Sequence, residues 1–111
     1  MQISETDRDH VKVVSLSGRL DSLSSPDAEK RLLNLVEAGA RKMVLDCQGL
    51  EYISSAGLRV LLTLAKHLGA VQGNLLLAAP ADQVREVLDI AGFADILPVC
   101  ASVDEAVKLC A

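Results

Sequence analysis

The apolar residues near the start of the chain follow the short period of β-strands. Residues 11–18 are rich in valine and end at a glycine, which predicts a strand with Val14 and Leu16 facing inward. Residues 2–6 lie shortly before this strand, and we expect them to pair with it as an edge strand. The chain therefore begins with a predicted hairpin.

The apolar spacing changes to that of a helix after this hairpin. Ser25 places a candidate N-cap hydroxyl directly before Pro26, a residue that is tolerated at the first helical position. Gly39 is expected to end this first helix. Residues 42–46 then form a short apolar run, which is typical of a strand covered on both faces. The helical positions that recur are Ala28, Leu32, Leu35 and Val36.

The middle of the chain predicts a second helix, from about Ser55 to a stop at Gly69. Residues 73–79 follow it as another buried strand. The inward stripe of the helix, read from its spacing, comprises Leu58, Leu61, Leu62, Ala65 and Leu68. The other face of this helix, which we expect to be exposed, carries Arg59, Thr63 and Lys66.

The last third of the chain predicts two more helices and a short strand. Gly92 ends the third helix, and the strand is expected to include Ile96 and Leu97. Ser102 and Glu105 match a capping box at the start of a terminal helix. The inward positions of these two helices are Val84, Val87, Leu88 and Ala91, then Val103, Ala106, Val107 and Cys110. This order predicts an α/β domain with a mixed sheet of four to five strands and about four helices.

Composition narrows the functions open to the chain. Its 111 residues are half apolar and 23% charged, which is enough for one domain over residues 1–111 with its own core. A net charge of −4, with one Tyr, one Phe and no Trp, argues against nucleic-acid binding. Residues 75–79, the longest apolar run, are far fewer than the roughly 18 needed to span a bilayer. We expect no signal peptide and no membrane insertion.

The cysteines indicate a reducing compartment. Cys47, Cys100 and Cys110 are odd in number, widely spaced and not arranged in a metal-binding or redox motif. We therefore expect a cytoplasmic location and no metal site.

Two adjacent serines at the predicted start of the second helix are the candidate functional residues. A strand expected to end at Asp46 leads through a loop to Ser54 and Ser55, whose side chains should be exposed. Serine at a helix N-terminus often acts only as a cap, which contributes about 1 kcal/mol. Such a hydroxyl can also be phosphorylated, because free N–H groups and the helix dipole help to hold a phosphate.

The residues around these serines resemble the STAS family of bacterial anti-sigma factor antagonists. The family signature is a hydrophobic residue, then D-S-S-G-L and an apolar helix, and the matching segment here is Ile53-Ser54-Ser55-Ala56-Gly57-Leu58. The resemblance covers almost the whole chain and implies the STAS fold. The other matching segments are Gly18-Arg19-Leu20-Asp21, Val44-Leu45-Asp46 and Val87-Leu88-Asp89-Ile90-Ala91-Gly92-Phe93.

The resemblance implies a particular phosphorylation site. In the family the first serine of D-S-S-G accepts the phosphate, and this position corresponds to Ser55. The second serine of the signature is Ala56 here, and the aspartate before the acceptor is Ser54. The missing carboxylate leaves Ser54 as the alternative acceptor, and it leaves open a protein that binds its partner without being phosphorylated.

The resemblance also implies a regulatory cycle rather than catalysis by this chain. The unphosphorylated protein would bind an anti-sigma factor that is also its ATP-binding serine kinase, and this would release a sigma factor. Phosphorylation would break the complex, and a metal-dependent serine/threonine phosphatase would restore it. The chain itself would be no enzyme and need no cofactor. The kinase would supply ATP and Mg²⁺.

The expected partner-binding surface surrounds the signature. Asp21 matches a family position near the phosphoacceptor, whereas Arg59, Thr63 and Lys66 are added from helix geometry alone. The full set is Asp21, Ser54, Ser55, Ala56, Gly57, Leu58, Arg59, Thr63 and Lys66.

Two other functions stay open at this point. One is a STAS scaffold subunit of a membrane transport or other signalling assembly, which would not be phosphorylated. The other is a small enzyme, which the lack of a paired nucleophile and base argues against.

Overall fold

A computed structural model describes residues 1–110, and within them a five-stranded sheet has the order β1-β2-β3-β4-β5. β1 pairs antiparallel with β2, and each later pair is parallel. The strands are β1 (Gln2–Arg8), β2 (Val11–Leu20), β3 (Lys42–Ile53), β4 (Asn74–Ala78) and β5 (Val99–Cys100). The initial hairpin and the mixed sheet confirm the predicted α/β class.

Helices cover both faces of this sheet. They are α1 (Ser25–Glu37), α2 (Ser55–Ala70), α3 (Asp82–Ile90) and α4 (Val103–Cys110). The first three each follow a parallel strand and share one buried apolar cluster with a single face of the sheet. α4 packs on the opposite face in a second cluster. None of the helices within residues 1–110 has the length and apolar character needed to cross a membrane.

Several helix ends lie where the sequence predicts them. Gly39 and Gly92 follow α1 and α3 with φ of 114° and 73°, a left-handed conformation that glycine adopts at little cost. The backbone N–H of Glu105 donates to the Ser102 hydroxyl at 3.1 Å, as expected for a capped start of α4.

The third strand is longer than predicted. It does not end in a loop after Asp46 but continues to Ile53, paired with the last residues of β2. Register shifts in this pairing break the alternation of buried and exposed residues, so that Cys47, Leu50 and Ile53 are buried at a spacing of three. A period-two pattern therefore could not reveal this half of the strand.

Two other predicted boundaries are wrong. Ser24 occupies the N-cap position of α1 without a side-chain capping bond, and Ser25 is the first residue of the helix. Ile96 and Leu97 do not form a strand, because their backbone N–H groups donate to the Phe93 carbonyl at 2.9 and 2.8 Å, next to a 3-10 helix at Phe93–Asp95. The sheet resumes only at β5.

The inward stripe of α2 is rotated from the prediction. Leu58, Leu62 and Ala65 are only half-buried, although they were expected to face the core. The same correction applies to Ala91, which is exposed after the end of α3. The buried residues of α2 are Gly57, Val60, Leu61, Leu64 and Leu68. The helix is apolar on so many sides that spacing alone does not select one stripe.

Candidate functional site

The candidate site lies at the edge of the sheet where β2 and β3 end. Leu20 and Ile53 are paired across these two strands. One residue further on, the backbone N–H of Ser54 donates to the Leu20 carbonyl at 2.9 Å. This bond joins the end of β2 to the start of α2, and it brings the Asp21 segment beside the two serines.

Ser54 is the N-cap of α2. Its backbone is extended, and its hydroxyl accepts a hydrogen bond from the Gly57 N–H at 3.3 Å. Its carbonyl accepts from the Leu58 N–H at 2.9 Å. The half-buried Ser54 thus uses both its hydroxyl and its carbonyl oxygen to satisfy N–H groups in the first turn of α2.

Ser55 is the first residue of α2 and is exposed. Within residues 1–110, the Ser55 hydroxyl and the backbone N–H groups of Ser55 and Ala56 have no hydrogen-bond partner in the protein. The first turn of α2 also contains no acidic residue. No side chain of the first turn therefore offsets the positive end of the helix dipole, and this end favours a negative group attached to Ser55.

Gly57 lets α2 approach β2 closely. A Cβ atom at this position would lie 2.7 Å from the Leu20 carbonyl oxygen and 2.8 Å from Cγ1 of Ile53. Both distances are shorter than real Cβ contacts, so a side chain would push the first turn of α2 away from the sheet. Glycine therefore positions the two serines relative to Leu20.

Asp21 organises the turn between β2 and α1. Its Oδ1 accepts hydrogen bonds from the backbone N–H groups of Leu23, at 3.0 Å, and Ser24, at 3.1 Å. The Ser24 hydroxyl donates to the Arg19 carbonyl at 2.7 Å. The bond from the Ser24 backbone is the main cause that lowers the pKa of Asp21, and the Leu23 bond, the Ser24 hydroxyl and the charge of Arg19 lower it further.

An arginine and a tyrosine next to this turn were not among the predicted site residues. The Arg19 guanidinium lies 4.2 Å from the centre of the Tyr52 ring, and its Nε is 3.7 Å from Oδ2 of Asp21. Arg19 and Tyr52 are paired in the β2–β3 register, which only the longer β3 reveals. No feature of the sequence pattern indicated this contact.

The outward face of α2 continues the surface away from Ser55. Arg59 and Lys66 are exposed, whereas Thr63 is half-buried and its carbonyl lies 2.9 Å from the ring nitrogen Nδ1 of His67. At a rise of about 1.5 Å per residue, Lys66 lies roughly 16 Å along the helix from Ser55. The structure thus brings Asp21 and the first turn of α2 together, and it places Arg59, Thr63 and Lys66 progressively further away.

The cysteines and acidic residues elsewhere form no alternative centre in the described part of the chain. Cys47, Cys100 and Cys110 are free and buried. Burial raises the pKa of Cys47 to about 12, so this thiol is a poor nucleophile at neutral pH. Within residues 1–110, no three His, Cys, Asp or Glu side chains are placed to hold a metal ion.

Comparisons with known proteins agree with this arrangement. The chain is 42% identical over 102 residues to BtrV of Bordetella bronchiseptica, whose name describes an anti-sigma factor antagonist, and the match covers 92% of this chain and 88% of BtrV. An anti-sigma factor antagonist from Mycobacterium paratuberculosis has a TM-score of 0.90 at 26% identity, with 98% and 92% of the two chains covered. A Thermotoga maritima protein at 20% identity has the same fold, with a TM-score of 0.92 over 97% of this chain and 93% of its own.

A family model identifies the domain directly. The model of the STAS domain matches residues 2–106, which include every strand of the sheet, the first three helices and both candidate serines. This match and the BtrV relationship lead to the same assignment. The chain belongs to the STAS domain family.

Proposed function

We propose that this chain is an anti-sigma factor antagonist whose binding to its partner is switched off by phosphorylation of Ser55. The observation that carries the proposal is that Ser55, the first residue of α2, is exposed and that its hydroxyl has no hydrogen-bond partner in the described protein. The names of the Bordetella and Mycobacterium relatives support the functional class. Residues 1–111 would act as one regulatory domain in the bacterial cytoplasm.

The two serines differ in how free their hydroxyls are. A kinase must reach the hydroxyl oxygen, and that of Ser54 already accepts the hydrogen bond that caps α2. A kinase that used Ser54 would first have to draw its hydroxyl out of this cap, which is worth about 1 kcal/mol. Ser55 is more exposed and has no such role, which favours it as the acceptor.

A phosphate on Ser55 would change the charge of the surface rather than its backbone. It adds about −1.5 to −2 charges beside Asp21, at a helix end that stabilises the modified state. A partner that covers Ser55 would have to desolvate those charges. The partner-binding surface then comprises Asp21, residues 54–58 and the outward positions Arg59, Thr63 and Lys66.

The partner that fits this cycle is an anti-sigma factor with serine kinase activity. It would supply ATP and Mg²⁺, and a metal-dependent serine/threonine phosphatase would remove the phosphate. The chain itself acts as a substrate and a binding module.

The test is the intact mass of the protein after incubation with its candidate anti-sigma kinase, ATP and Mg²⁺. Wild type, Ser55→Ala and Ser54→Ala are compared, with Ser102→Ala as a control that removes a cap from a different helix. We expect one added phosphate in every protein except Ser55→Ala.

Two results would contradict the proposal. Loss of the phosphate only in Ser54→Ala would move the acceptor to Ser54. A wild-type protein that binds the kinase but stays unmodified would favour a scaffold that works without phosphorylation, as in a transport or other signalling assembly.

A further inference from the structure

Leu23 is the most exposed large apolar residue in the described chain, with 89% of its surface accessible. It lies in the turn between β2 and α1, two residues after Asp21. Single exposed apolar residues are common on protein surfaces. This one is distinguished by its place beside the candidate site, on a backbone that hydrogen bonds hold in one conformation.

Hydrogen bonds fix the backbone that carries Leu23. Its own N–H donates to Oδ1 of Asp21 at 3.0 Å, which forms an Asx turn. The Ser24 hydroxyl donates to the Arg19 carbonyl at 2.7 Å, and the Asp21 N–H lies 3.0 Å from that hydroxyl oxygen. The turn is therefore ordered around an apolar side chain that the fold leaves in water.

The turn is attached to the start of α2. The carbonyl of Leu20, three residues before Leu23, accepts from the Ser54 N–H at 2.9 Å. The same residue packs against Gly57, where there is no room for a Cβ. The segments that carry Leu23 and Ser55 are thus joined directly, by a backbone hydrogen bond and by close packing.

We propose that Leu23 is an apolar anchor that enters an apolar pocket on the anti-sigma factor; this inference rests on the function proposed above. Arg19 lies 3.7 Å from Asp21 at this surface and Arg59 is exposed on α2, so charges of both signs surround the anchor and its apolar side chain supplies the contact. A phosphate on Ser55 would add about −1.5 to −2 charges that a partner covering both residues would have to desolvate. Pre-ordering of the turn lowers the entropy cost of burying Leu23.

The anchor is tested by binding of the unphosphorylated protein to the anti-sigma kinase in ADP, so that no phosphate is transferred. Leu23→Ser is compared with Ile90→Ser. Ile90 is also exposed, at 82%, but it lies at the far end of α3, which runs back from the sheet edge that carries Ser55. Leu23→Met keeps an apolar side chain and serves as the rescue.

We expect Leu23→Ser to raise the Kd about 10-fold or more, since a buried leucine contributes that much, while Ile90→Ser and Leu23→Met stay within about twofold of wild type. The melting temperature should change little in all three variants, because both side chains are exposed. Leu23→Ser binding as tightly as wild type would overturn the anchor and leave the phosphorylation switch intact. A wild type that neither binds the kinase nor is phosphorylated by it would overturn both proposals.

Discussion

The substitution Gly57→Ala tests whether the first turn of α2 is seated against β2 as described. Alanine is favoured over glycine by about 1 kcal/mol in a helix interior and by up to that amount in the first turn, where Gly57 lies, so propensity alone predicts a more stable protein. The added methyl group would, however, lie within 3.0 Å of the Leu20 carbonyl oxygen, Cγ of Leu20 and Cγ1 of Ile53. The carbonyl cannot move without disturbing the sheet.

Overpacking of this kind costs about 1–3 kcal/mol, and three short contacts favour the upper half of that range. After the gain in propensity, we expect Gly57→Ala to lower the free energy of unfolding by about 1–2 kcal/mol. The matched control is Gly69→Ala in the last turn of α2, where nothing lies within 4 Å of the added Cβ. That variant should be more stable than wild type, by about 0.5 kcal/mol.

The assay is urea unfolding followed by circular dichroism, with the slope m compared among the three proteins. The prediction is that the two glycine substitutions change the midpoint in opposite directions with m unchanged. Gly57→Ala at least as stable as Gly69→Ala would refute the close packing of α2 on Leu20.

Three further predictions concern the turn before α1 and the buried thiol. Ser25 is only 5% exposed and its hydroxyl has no hydrogen-bond partner in the described structure, so Ser25→Ala should leave the free energy of unfolding unchanged or raise it by up to about 1 kcal/mol. Ser24→Ala should lower it by about 1 kcal/mol, because the Ser24 hydroxyl donates to the Arg19 carbonyl. A thermal unfolding experiment in which Ser24→Ala is the more stable variant would contradict this. The pKa of Asp21 is lowered in the folded state, so the ionised carboxylate stabilises the protein above about pH 4, and this contribution is lost as the pH falls through the folded-state pKa. Asp21→Asn should therefore flatten the acid side of a plot of melting temperature against pH. An unchanged plot would contradict the hydrogen bonding of Asp21 in the turn. Burial raises the pKa of Cys47 to about 12, so iodoacetamide at pH 8 should alkylate Cys47 only as fast as the protein unfolds. Peptide mass spectrometry measures this rate, and labelling at the rate of a free thiol would disprove the burial of Cys47.

Much of the fold could be predicted because its signals are local. Glycines at the ends of α1 and α3 and a serine before α4 are read from a few neighbouring residues. The second half of β3 was missed because its burial pattern depends on register shifts against β2, which no local pattern records. The rotation of α2 was missed because the helix is apolar on so many sides that the spacing of its residues does not select one buried stripe.

Part of the candidate site could likewise be predicted from local sequence, and part could not. Ser55 could be placed at a helix start from the family signature, and the structure describes it there, exposed. The contact between Arg19 and Tyr52 joins two neighbouring strands, and the turn at Asp21 is held by hydrogen bonds to its side chain. Spacing along the chain does not encode those contacts, so only the structure shows that Leu23 is exposed in the turn that Asp21 orders.

The central claim is that a phosphate on Ser55 controls partner binding. It is tested most directly by titrating one anti-sigma kinase in ADP with the unmodified protein and with the same protein phosphorylated at Ser55. We expect the phosphorylated form to bind at least about 100-fold more weakly, which corresponds to about 2.7 kcal/mol. Equal affinity of the two forms would contradict it.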